Sequence, residues 1–145
     1  MIDLMSKRRD FLKTAGALSA ASALFQQVSQ GAGKLSSTVI EAGKATASKQ
    51  NGQDLKIHFD GPTDQLKSMT TGSLLLQPGM QPHEPHQHPE EELMMITEGS
   101  GEIYMDGKTL KCSAGSIMYA AANKLHGIKN TGTKPLMFYF AKWKA

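Results

Sequence analysis

The sequence predicts an all-β protein whose sheet rolls into a barrel or sandwich, and three observations predict it. Short apolar, β-branched and aromatic runs recur after residue 50, separated by Gly, Pro and Asn turns. No stretch after residue 30 sustains a helical hydrophobic period. Four side chains suited to one site, His86, His88, Glu92 and His126, lie on three separate runs and meet only if the sheet curls. The length, 145 residues, allows one domain. A hydrophobic fraction of 39% and a charged fraction of 20% are ordinary for a soluble protein.

The elements follow in order. Residues 34–53 are polar and rich in Gly, Ser and Thr, which predicts a linker with an early edge strand near Val39-Ile40. Leu55-Lys56-Ile57-His58-Phe59 alternates apolar and polar residues, as a half-buried strand does. Asp60-Gly61-Pro62 predicts a turn. Residues 71–77 carry Leu74-Leu75-Leu76 and close on Pro78-Gly79, and residues 92–98 form an apolar strand ending at Gly99. Residues 102–105 and 109–112 flank Asp106-Gly107, a type I′ hairpin signal. Strands over 116–119, 126–129 and 136–142 complete the set.

The N-terminal stretch reads as an address. Ser6-Lys7-Arg8-Arg9-Asp10-Phe11-Leu12-Lys13 resembles the twin-arginine export signal of bacteria, with Lys7 placed between Ser6 and the arginine pair. The Ala-rich apolar run at 14–25 is about 12 residues, short of the ~20 needed to span a bilayer but suited to a signal peptide. Ala21, Ala23, Ser29, Gly31 and Ala32 offer small residues for cleavage. The resemblance implies a signal peptide over 1–32, a linker and edge strand over 33–54 and a barrel domain over 55–145. It also implies a periplasmic or otherwise exported destination, with no stable membrane anchor once the signal is removed. Substrates of that pathway typically cross the membrane folded, so a metal can be loaded before periplasmic Zn²⁺ or Cu²⁺ competes for the site.

Charge narrows the partners. Four basic and two acidic residues in 1–30 supply +2 of the formal +3, leaving +1 for residues 31–145. That balance argues against nucleic acid. Both arginines, Arg8 and Arg9, lie in the signal, so the barrel lacks the preferred partner of polyanions. A single Cys112 excludes an internal disulfide and reads as a small apolar strand residue. Seven of the nine methionines are scattered through the β region and read as core filling rather than as a thioether copper site.

The chemistry lies in two spaced motifs, Gly79-x6-His86-x-His88-x3-Glu92-x6-Gly99 and Gly115-x10-His126-x3-Asn130. Residues two apart on a strand share a face, so His86 and His88 are expected to aim together. Three imidazoles and a carboxylate suit a divalent first-row metal. These motifs are similar to those of the cupin family in its small, single-domain form. The first family motif is matched from His86 to Gly99, with Gly79 one residue further upstream than the pattern asks. In the second, Ala121 replaces a Pro and Asn123 replaces a Gly, a substitution that Asn's tolerance of the left-handed region allows.

The resemblance implies a double-stranded β-helix, the jelly-roll barrel, with His86, His88, Glu92 and His126 as metal ligands. It implies Fe²⁺ or Mn²⁺ first, then Zn²⁺ or Ni²⁺, and a homodimer joined through edge strands. His83, Tyr104 and Tyr119 are the candidate proton-moving or substrate-contacting residues. Glu84, Glu90 and Glu91 are expected to be solvated charges. Alternation from Glu92 puts Met94 and Ile96 inward. With Ile103 or Met105, Met118 and Phe138 or Phe140, they would form an apolar pocket for a small chelating metabolite. Two functions fit: a metal-dependent enzyme of dioxygenase-like or related chemistry, or a non-catalytic metal-containing protein for small-molecule binding or metal handling.

Overall fold

A computed structural model describes residues 33–145, so the expected signal peptide over 1–32 lies outside the described residues. Among the described residues a 3-10 turn, Ala42–Lys44, precedes nine strands: β1 Thr46–Gln50, β2 Gln53–Gly61, β3 Ser68–Leu76, β4 Glu91–Glu98, β5 Ser100–Met105, β6 Lys108–Ser113, β7 Ile117–Ala120, β8 His126–Lys129 and β9 Leu136–Lys144. They form a six-stranded sheet in the order β1-β2-β3-β9-β4-β7 and a three-stranded sheet in the order β6-β5-β8. Every pairing is antiparallel. The strand order alternates between early and late segments, as the predicted jelly roll requires.

The core lies between the two sheets. Leu74 and Leu76 of β3, Met94 and Ile96 of β4, and Leu136, Phe138 and Phe140 of β9 are buried there. Ile103, Cys112, Met118 and Ile128 close it from the other strands. Alternation explains the selection: Met95 and Tyr139, one residue out of step, face solvent. Cys112 is buried as expected, and burial pushes its thiol pKa up.

Three turns carry the register. Asp106-Gly107 takes positive φ at both residues (44° and 86°) between the paired Met105 and Lys108, the predicted type I′ hairpin. Asn51-Gly52 does the same (38° and 80°) between Gln50 and Gln53, joining β1 to β2. That hairpin moves the early edge strand from the expected Val39-Ile40 to Thr46–Gln50, because an Asn-Gly turn can pair only the residues that flank it. Asn123 has φ 61°, so it does the work of the glycine it replaces.

Two other expectations are corrected. Asp60 and Gly61 belong to β2 rather than to a turn. The alternation through Leu55-Lys56-Ile57-His58-Phe59 is broken by a β-bulge: Ile57 pairs Gly72, but Phe59 pairs Thr71. One extra residue inverts the faces beyond it. Phe59 therefore leaves the inner face and Asp60 joins it.

Candidate metal centre

Glu92 enters from β4 and His126 from the first position of β8. The expected strand under His86 and His88 is reduced to one isolated bridge. His86 N–H donates to His126 O at 2.9 Å, and His126 N–H donates to His86 O at 2.9 Å. Pro82, Pro85 and Pro89 remove backbone donors and break a longer ladder. Asn123 N–H donates to His88 O at 2.8 Å and pins the second histidine. The convergence survives: one nitrogen from each of His86, His88 and His126 lies within 4.8 Å of the others.

Glu92 closes the group. Its Oε2 lies 2.9 Å from His88 Nε2 and 3.0 Å from His126 Nε2. The opposite nitrogens face backbone carbonyls, His88 Nδ1 at 3.0 Å from Glu90 O and His126 Nδ1 at 2.7 Å from Lys124 O. A carbonyl only accepts, so each Nδ1 carries hydrogen and each Nε2 is turned toward Glu92. Outer hydrogen bonds of this kind orient metal-ligating histidines.

Electrostatics follow from this packing. Burial alone would raise the pKa of Glu92, but the His126 and His88 rings that face its carboxylate, and donate to it when protonated, outweigh burial and hold the carboxyl at about 2. Burial pulls His126 down, yet the bonds to Glu92 and to the Lys124 carbonyl raise it overall. His86 is lowered to about 4 by burial and by the neighbouring His83, His126 and His88. It therefore stays a neutral imidazole with a lone pair to give, and its Nδ1 is buried without a hydrogen-bond partner.

These residues fit a divalent ion. One Glu92 oxygen lies 2.9–3.0 Å from the Nε2 of His88 and of His126, and three imidazoles offer nitrogens within 4.8 Å of one another, a donor set of the kind that divalent first-row ions take.

The cluster opens into a cavity of about 1060 Å³. Leu74, Met94, Ile128, Phe138 and Phe140 supply its apolar wall. Ile96, Ile103 and Met118 belong to the core beneath it. His83 lines the mouth, its ring edge-on to His86 at 4.0 Å between centroids.

Two candidate positions are corrected. Tyr104 and Tyr119 do not line the cavity. Tyr104 alternates with the buried Gly101 and Ile103, so it points the other way. Tyr119 pairs Leu93, one residue out of step with Glu92, and is 55% exposed. Its hydroxyl donates to Glu91 Oε1 at 2.7 Å, while Trp143 Nε1–H donates to Glu91 Oε2 at 2.8 Å. Glu91 is thus a tethered group rather than a free surface charge.

The sequence reading also missed cavity residues. Asp60, Thr70 and Lys142 face the same space. The signal for Lys142 was available, since the alternation that turns Phe138 and Phe140 inward continues to it.

Comparison with known proteins agrees with this geometry. The family model of the Cupin domain matches residues 72–142. That of the TAT (twin-arginine translocation) pathway signal sequence matches residues 5–25, so the chain is exported across the membrane to the periplasm. No curated protein matches the sequence. Among solved structures, KdgF from Halomonas sp. aligns at 16% identity with a TM-score of 0.62, over 76% of this chain and 96% of that one. An RmlC-like cupin from Shewanella frigidimarina aligns at 12% identity with a TM-score of 0.60, over 76% and 93%. A predicted oxalate decarboxylase from Thermotoga maritima aligns at 18% identity with a TM-score of 0.60, over 74% and 100%. At such identities the likeness concerns the fold. With the sequence motifs, the barrel and the histidine cluster all present in one domain, residues 72–142 form a Cupin domain.

Proposed function

We propose that the protein is an exported metal-dependent cupin enzyme acting on a small, largely apolar metabolite that chelates the ion through oxygen. The observation that carries this reading is the joining of two features: three clustered histidines, two of them against Glu92, and a cavity that Leu74, Met94, Phe138 and Phe140 also line. His86, His88, Glu92 and His126 would hold the ion, with Fe²⁺ or Mn²⁺ favoured. When bound, such an ion supplies Lewis acidity, a template for a bidentate substrate or a centre for dioxygen.

The chain's own residues do the rest. Met94, Phe138 and Phe140 receive the apolar body of the substrate and exclude water around it. Glu90 and Lys124 carbonyls keep two imidazoles in the donor tautomer. His83, at the mouth and against His86, moves a proton between substrate and solvent.

The experiment is to purify the protein with its native metal, identify that metal, and follow oxygen uptake with catechols, diketones and hydroxy acids. Substrate-dependent uptake by an iron-loaded protein supports the proposal. Tight Zn²⁺ with no turnover across the panel supports the non-catalytic alternative, a small-molecule or metal-handling protein. Once a substrate is in hand, His83→Asn should lower kcat by about 100-fold, the typical share of one acid–base group. Tyr119→Phe should leave kcat within about two-fold, because that hydroxyl meets only Glu91 on the outer face.

A further inference from the structure

The inner face of the large sheet carries a polar row that the metal centre alone does not explain. Asp60 pairs Thr70, Thr70 pairs Lys142, and Lys142 pairs Glu92, so four adjacent strands each contribute one side chain to the cavity. Glu92 ends the row at the proposed metal. Asp60 ends it at the far side, three strand spacings or roughly 14 Å away along the sheet. Leu74, Met94, Phe138 and Phe140 line the same cavity.

Asp60 has two unusual properties. Thr70 Oγ1–H donates to its Oδ1 at 2.7 Å, but its Oδ2 is buried with no hydrogen-bond partner. A buried acceptor left without a donor is costly, so it needs a reason. Independently, the bulge between Ile57 and Phe59 is what turns Asp60 inward; regular alternation would place it on the outer face. A distortion of the ladder and an unsatisfied oxygen thus meet at one residue on the cavity wall.

We propose that Asp60 is a specificity-determining contact, its carboxylate turning into the cavity to accept a hydrogen bond from a hydroxyl at the end of the ligand opposite the chelating group. This rests on the reading that the metal centre binds a chelating small molecule, and it narrows that molecule's class. The ligand has a chelating oxygen group, a flat or compact apolar middle, and a distal hydroxyl. A neutral hydroxyl suits the place better than an ammonium, because Lys142 faces the same cavity two strands away.

The test uses Zn²⁺-loaded full-length mature protein and two nearly isosteric chelators, 4-(hydroxymethyl)benzohydroxamic acid and 4-ethylbenzohydroxamic acid, titrated calorimetrically. The wild type should bind the hydroxymethyl compound about ten-fold more tightly. Asp60→Leu should erase that preference while leaving affinity for the ethyl compound within about two-fold, and its Tm should not fall below wild type. Asp60→Asn, which keeps an acceptor for Thr70, should cut the preference to about two-fold and serves if the leucine variant does not fold. Equal binding of both compounds by the wild type overturns the Asp60 contact alone. So does a preference that survives in the variants, or a loss of both affinities together with a lowered Tm. If neither hydroxamate binds the metal-loaded protein, the chelating-ligand reading itself fails, and the contact with it.

Discussion

Replacing His88 by alanine is expected to lower affinity for a divalent ion by more than about 100-fold while the far-UV spectrum of a β protein survives. The magnitude follows from chemistry: losing an outer partner of a metal ligand already costs 10–100-fold, so losing the ligand costs more. Survival of the fold follows from packing. His88 lies in the loop before β4 and contributes to no strand ladder. The nine strands are joined by their own registers and by a core that includes none of the four proposed ligands. Metal analysis after dialysis, with circular dichroism on the same sample, checks both halves. Unchanged metal content would remove His88 from the donor set, and collapse of the barrel would make the metal a folding element.

Asn130→Ala is expected to give the second large effect, on stability rather than on metal. Asn130 is fully buried. Its Nδ2 donates to Leu76 O and to Lys134 O, each at 2.9 Å, and its Oδ1 accepts from Gly132 N–H at 3.0 Å. One amide therefore holds the end of β3, the turn before β9 and its own loop together. Alanine would leave two carbonyls and an N–H without partners, at about 1–3 kcal/mol for each group that stays dry. A loss of about 3 kcal/mol or more is a large share of the ~5–15 kcal/mol typical of a domain. Urea unfolding of the mature protein measures it, and a change under ~1 kcal/mol would show that water replaces the amide.

The donor set was legible in sequence because its spacing is short-range and chemically restrictive: His86, His88 and Glu92 lie within seven residues of one another. His126 was legible through the second motif. Strand positions were legible wherever alternation ran undisturbed, as along β4 and β9. What escaped depends on partners distant in sequence. The bulge at Ile57–Phe59 is defined by β3, so the local pattern pointed Phe59 inward and the inward aim of Asp60 stayed hidden. The tethering of Glu91 depends on Trp143, 52 residues later. Asn51-Gly52 was different: a strong local hairpin signal stood in plain view inside a stretch read as linker.

The interior position of Cys112 has a practical and cellular consequence. In an oxidising compartment an accessible single thiol invites mixed disulfides and covalent dimers. This one sits at 6% exposure inside the barrel wall, out of reach until the strands part. Alkylation of the native chain should therefore proceed only as fast as the barrel opens, which makes the residue a built-in clock for breathing motions. Slower labelling in the presence of an added ion would reveal how firmly that ion clamps the two sheets.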